Sequence, residues 1–225
     1  MLDVNGETPI VVLVTADDLE QARQAVAMVR ETVQPGVEIA LAPYGNQARA
    51  IFDDRALQDL TDAMWGTTEA APMSHGEAIN AGKDGGFFHQ WSYLAILAQD
   101  VLVEPGWLEG MIRAASAEIT TPKGATVPSS SAFGADKIGI ILPVTDKTTN
   151  PSQRLNLTEG EARLGLGNYC QQRLAKLPYD ASTADVIDPM CMVLTRGFVE
   201  AVTKKFGKIV TGYGAYLGHD LALIA

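Results

Sequence analysis

Side chains able to do chemistry gather at the ends of apolar runs in this 225-residue chain. Thr15 and Asp17 follow Pro9-Ile10-Val11-Val12-Leu13-Val14, Tyr44 and Asn46 follow Val37 to Ala42, and Gln99 and Asp100 close the run from Trp91 to Ala98. A carboxylate in such a place can cap a helix, form a turn or hold a ligand, and a tyrosine ring can stack a flat ligand or simply pack. Late in the chain, His219-Asp220 sets an imidazole beside a carboxylate, and by itself the pair reads as an Asp capping a terminal helix next to a surface His. Asn80-Ala81-Gly82 has the plainer reading of a helix closing through a left-handed residue. His75 and His89 fit no motif and read as polar loop residues.

The elements that must position these groups follow from periodicity. The unbroken, β-branched run at Ile10–Val14 fits a strand buried on both faces. Asp17-Asp18 then caps a helix whose apolar stripe is Leu19, Ala22, Val26, Val29 and Val33, and Pro35-Gly36 stops it before a second strand over Val37–Ala42. A helix is predicted over about Asn46 to Ala63, then a polar, Gly-rich stretch from Gly66 to Gly86, then the central strand Trp91–Ala98. A helix follows Pro105, Thr120 to Asp136 reads as loop, and Ile138–Leu142 as strand. Asn150 to Asp185 is an uneven excursion with a helix over Glu159 to Leu177, before a strand at Val186–Leu194 and a helix over Arg196 to Phe206. Alternating strands and helices predict an α/β fold with a mostly parallel open sheet, whose ligands bind at the carboxyl ends of the strands. No repeat or low-complexity linker divides the chain, so residues 1–225 read as a single domain.

Composition narrows the function classes. With 47% hydrophobic and 20% charged residues the chain is neither disordered nor fibrous. A formal charge of −10 opposes an extended nucleic-acid surface. No run reaches the roughly 18 apolar residues of a membrane span, and the N-terminus lacks a basic, apolar leader, so a soluble cytoplasmic protein is expected. Cys170 and Cys191, without a CxxC or zinc spacing, read as reduced packed thiols.

Four stretches in order give a family resemblance: Val11-Val12-Leu13-Val14-Thr15, Ala78-Ile79-Asn80-Ala81-Gly82, Gln99-Asp100 running into Glu104-Pro105-Gly106-Trp107-Leu108, and Asp188-Pro189-Met190-Cys191-Met192-Val193-Leu194 with Gly212-Tyr213-Gly214 beyond it. Over about Pro9 to Leu221 the chain resembles the family 2 glycosyltransferases of GT-A fold, a Rossmann-like α/β architecture. The resemblance implies a nucleotide-binding half over about residues 8–100 and an acceptor half over about 101–225. It implies a donor site around Thr15, Asp17, Tyr44, Asn80 and Gln99, with Asp100 and His219 as ligands of a divalent metal, Mn²⁺ or Mg²⁺. Asp220 would be the catalytic base, and Trp107, Tyr213 and Tyr216 would contact the acceptor.

The activity so implied moves a sugar from a nucleotide-diphosphate sugar to a hydroxyl acceptor with inversion; the acceptor could be a glycan, a lipid carrier, a protein or a modified base. Ala98 stands where the family's triplet usually has its first acidic or amide residue, and Pro43-Tyr44 where an Asp commonly meets the base. Those departures support the rival reading, a catalytically inactive GT-A-like binding or assembly module. A nucleotidyltransferase ranks lower, because Thr15-Ala16-Asp17-Asp18 lacks a glycine-rich basic loop.

Overall fold

The computed structural model describes residues 9–66, 73–84, 91–116, 118–120, 126–128, 140–141, 179–180 and 190–209. The expected helix over 159–177 and the residues His89, Cys170, Tyr213, Tyr216, His219 and Asp220 lie outside them.

Strand β1 (Ile10–Ala16) leads into helix α1 (Leu19–Thr32) and strand β2 (Glu38–Pro43). Asp18 begins α1 by accepting the Gln21 N–H at 3.0 Å. The helix ends where Val33 turns extended, its N–H bonding the Val29 carbonyl, and Gly36 at φ +94° redirects the chain into β2. The single helix expected over 46–63 is instead α2 (Ala48–Phe52), α3 (Arg55–Leu60) and an edge strand β3 (Ala63–Met64). Asp54 is the reason: its side chain accepts the Leu57 N–H at 3.0 Å, a fresh N-cap that ends one helix and starts another.

Helix α4 (His75–Asp84) occupies part of the stretch read as polar connection, and β4 (Tyr93–Ala98) follows. Next come α5 (Trp107–Ser116), β5 (Glu118–Thr120), β6 (Thr126–Pro128), β7 (Ile140–Ile141), β8 (Tyr179–Asp180), β9 (Cys191–Thr195) and α6 (Arg196–Phe206). Strand β6 lies in the segment read as loop; it and β8 both pair with β5 in a small three-stranded sheet, β6-β5-β8.

The main sheet has the order β3-β2-β1-β4-β9-β7, with β3, β2, β1 and β4 parallel and β9 antiparallel to both neighbours. Strand order therefore runs outward from β1 through β2 to β3, then returns to β4 on the other side of β1. The gap between β1 and β4 is a topological switch point, where open α/β sheets form their ligand crevice.

Two-residue periodicity sorts the core into two layers. Ile10, Val12, Val14 and Ala16 of β1, with Ile39, Leu41, Ala95 and Leu97, pack under Ala22, Val26 and Val29 of α1, Ile51, Leu57, and Leu108 and Ile112 of α5. Val11, Leu13, Ala40, Ala42, Leu94 and Ile96 face the opposite way, onto Ala78 and Ile79 of α4, Trp65, and Val199 of α6. Helices thus cover both sheet faces, which is why the strands read as continuous apolar runs rather than alternating ones. No helix among the described residues is long and apolar enough to cross a membrane.

Candidate functional site at the strand tips

The same alternation carries past the strand ends. Thr15 shares the parity of Val11 and Leu13, and Tyr44 that of Ala40 and Ala42, so both belong to the α4 face. Helix α4 begins there through a capping box: Ser74 N–H and Oγ each lie 2.8 Å from Glu77 Oε2, and Glu77 N–H donates back to Ser74 Oγ at 3.3 Å. The box makes His75 the first helical residue. Its Nε2 lies 3.0 Å from Thr15 Oγ1, and its ring stacks on Tyr44 with centroids 4.8 Å apart and planes 18° apart.

Thr15 is 1% exposed and its hydroxyl donates to the Leu97 carbonyl at 3.4 Å, so it works inside the fold, holding His75 against the β1–β4 seam. Main-chain bonds fix the surrounding turn: Tyr44 N–H to the Ala16 carbonyl at 2.8 Å and Gly45 N–H to the Met73 carbonyl at 3.0 Å. Gly45 adopts φ +67°, and a Cβ there would lie 3.2 Å from Asp17 Cβ, so a side chain would crowd Asp17 as well as strain the backbone.

Gln99 clasps the β1–α1 turn. Its Oε1 accepts the N–H groups of Asp17 and Asp18 at 3.0 and 3.1 Å, while its Nε2 donates to Asp17 Oδ1. Gln47 does the same one residue on, accepting the Leu19 N–H at 3.1 Å and donating to Asp18 Oδ2 at 3.1 Å. With Asp18 taking the Gln21 N–H, the first donors of α1 are occupied by side chains of the protein itself. A phosphate at this tip would have to find its positive partner elsewhere.

Two exposed carboxylates remain at the tip, Asp17 and Asp100. Tyr44 feels both: burial is the larger cause lifting its phenol above the usual tyrosine value, followed by the charges of Asp17 and Asp100. Burial pushes the His75 imidazole below the usual histidine value, against a smaller opposing pull from Asp17. A neutral imidazole and a neutral phenol therefore stand beside a negatively charged rim at pH 7.

The remaining expected donor-site residue, Asn80, sits farther along α4, and its Oδ1 accepts the Ile209 N–H at 2.8 Å, tying α4 to the segment after α6. Gly82 does not end the helix through a left-handed turn; it lies within α4 and leaves room for the Trp65 indole, whose Nε1 donates to the Ala78 carbonyl at 3.0 Å. Trp107 starts α5 and packs against the α1-side core. The structure thus brings Thr15, Asp17, Tyr44, Gln99 and Asp100 together at one tip and uses Asn80 and Trp107 in packing and ties. His75 is the member that the motif reading passed over, and the signal for it was present: Ser74-x-x-Glu77 before Ala78-Ile79 marks a helix start with His75 as its first residue.

Hard divalent cations take oxygen ligands, often one or two carboxylates completed by phosphate oxygens and water. Asp100 is a single exposed carboxylate at the end of β4. Among the described residues no group of three or more His, Cys, Asp or Glu side chains converges, so the protein there offers no closed cage. No protein-family model and no curated protein matches this chain.

Proposed function

We propose that this chain is a GT-A-like transferase that binds a nucleotide-diphosphate sugar at the β1–β4 tip and passes the sugar to a hydroxyl acceptor. The observation that carries this reading is the convergence of Tyr44, Asp17 and Asp100 at the switch point of a mostly parallel sheet. Tyr44, backed by His75, offers an aromatic face for a base, and Asp17, pinned by Gln99, offers a carboxylate oxygen to ribose or base donors. Asp100 would hold a divalent cation, which when bound offsets the charge that grows on the leaving diphosphate. By the family resemblance, Asp220 takes the proton of the acceptor hydroxyl. As that oxygen bonds to the anomeric carbon, the bond from this carbon to the diphosphate oxygen breaks, and the diphosphate leaves from the opposite face.

Thermal shift with UDP-, GDP- and TDP-sugars, each with and without Mn²⁺, tests the reading. A donor at a hundred times its Kd stabilises by about 2.7 kcal/mol, which for a chain of this size is a rise of roughly 5–10 °C. The rise should need Mn²⁺ and vanish in Asp100→Ala. No shift with any donor in either condition overturns the proposal. A shift that comes without Mn²⁺ and without sugar release favours the inactive binding module, for which Ala98 is the supporting residue.

A further inference from the structure

His75 is a half-buried ionisable group at the tip that the proposed reaction does not use, and three contacts fix it. The capping box sets its backbone, Thr15 Oγ1 holds its edge at 3.0 Å, and Tyr44 covers its face at 4.8 Å. Tyr44 lies just past the end of β2 at Pro43, packs in part against the α4-side core, and carries the His75 ring on one face. Without the stacked imidazole, a half-buried tyrosine past a strand end has more rotamers open to it, and freezing them on binding costs affinity.

We propose that His75 is a positioning residue that holds the Tyr44 ring as a fixed platform on which the base of a nucleoside diphosphate stacks. The inference rests on the nucleotide reading of this site and adds the group that makes the platform rigid. What His75 supplies is a flat ring stacked on one face of Tyr44, and the proposal places the ligand base on the other. The flanking charges fit this division of labour: the Asp17 field reaches both rings, Asp100 acts on Tyr44, and Glu77 is engaged in the cap of α4. None of these carboxylates stacks, so the stacking share of the margin over pyrophosphate comes from the aromatic pair, beside any hydrogen bond that Asp17 makes to ribose or base.

The measurement is calorimetric binding of UDP, GDP, ADP and inorganic pyrophosphate to the full chain with Mn²⁺, taking the tightest nucleotide and its margin over pyrophosphate. Tyr44→Ala should cut the margin about tenfold or more, as loss of a base-stacking ring does. His75→Ala should cut it about three- to tenfold, leaving pyrophosphate affinity unchanged. His75→Phe, which keeps a flat ring but not the Thr15 contact, should restore most of it. That rescue is not expected of a residue needed only for its hydrogen bond. The inference is overturned if His75→Ala keeps the margin, if it weakens pyrophosphate and nucleotide equally, or if His75→Phe behaves like His75→Ala. In those cases a loss in Tyr44→Ala still upholds the nucleotide reading, whereas a wild type with no margin over pyrophosphate overturns both.

Discussion

Replacing Gly82 by alanine tests the placement of the helix that carries His75. Alanine in a helix interior is favoured over glycine by about 1 kcal/mol, so helix propensity alone predicts a more stable protein. Space predicts the reverse. A Cβ at residue 82 would lie 2.8 Å from Trp65 Nε1 and closer still to Cε2 and Cζ2, and Trp65 is 5% exposed with its indole N–H bonded to the Ala78 carbonyl. The indole is a rigid plate tied to α4 through its N–H, so the indole or α4 must give way. Overpacking of this kind costs typically 1–3 kcal/mol, and set against the propensity gain of about 1 kcal/mol it leaves a net loss of up to about 2 kcal/mol, or up to roughly 8 °C in Tm. Gly197 is the control: it also lies in a helix, α6, and nothing stands within 4 Å of its would-be Cβ. Gly197→Ala should hold or raise stability by up to about 1 kcal/mol. Urea denaturation followed by tryptophan fluorescence and far-UV circular dichroism measures both. If Gly82→Ala is as stable as Gly197→Ala, Trp65 does not lie against α4, and the position argued for His75 falls with it.

Gln99→Ala removes two acceptor bonds and one donor bond from the β1–α1 turn, and partial replacement by water leaves an expected loss of about 1–2 kcal/mol in urea denaturation; a change below about 0.3 kcal/mol would show that the clasp is idle. Stability should fall toward acid in two steps. His75, lowered by burial, is protonated in the unfolded chain first, so its contribution is complete above about pH 6.5 and drains as pH drops toward its folded value. Glu77, lowered by the Ser74 N–H and hydroxyl, and Asp54, lowered by the Arg23 guanidinium, contribute above their unfolded values of about 4.5 and 3.8 and lose this as pH falls through and below them. Urea midpoints taken from pH 7.5 to 3 should flatten between 7 and 5.5 in His75→Phe, and an unchanged profile would contradict the burial argument. Cys191 is buried against Met111 with its thiol pushed up to about 12, so in a Cys170→Ser background it should resist alkylation at pH 8 until urea unfolds the chain; fast native labelling would contradict that packing.

Where structure follows from neighbours in sequence, it was legible in advance. The β-branched run of β1, the Asp18 cap and apolar stripe of α1, and the helix over Arg196–Phe206 were expected much as they stand, because caps and 3.6-residue periodicity act over one or two turns. Asp54 is also a local signal: an Asx side chain inside an apolar periodicity can restart a helix rather than ride in it. The α4 capping box of Ser74 and Glu77 is a signal of the same local kind, and it carries His75 into the first turn of α4.

The sequence alone determined an α/β chain with carboxylates, an amide and a tyrosine at the ends of buried strands, since apolar runs and breaker residues carry that information locally. Only the tertiary structure decided that β9 runs antiparallel beside β4, that Gln99 closes on residues more than eighty positions earlier, and that Thr15 secures a histidine sixty positions later. The physical reason is that periodicity states which face of an element is buried but not which element covers it. Strand order and register supply the partner, and with it the choice between a side chain that meets ligand and one that holds its neighbour.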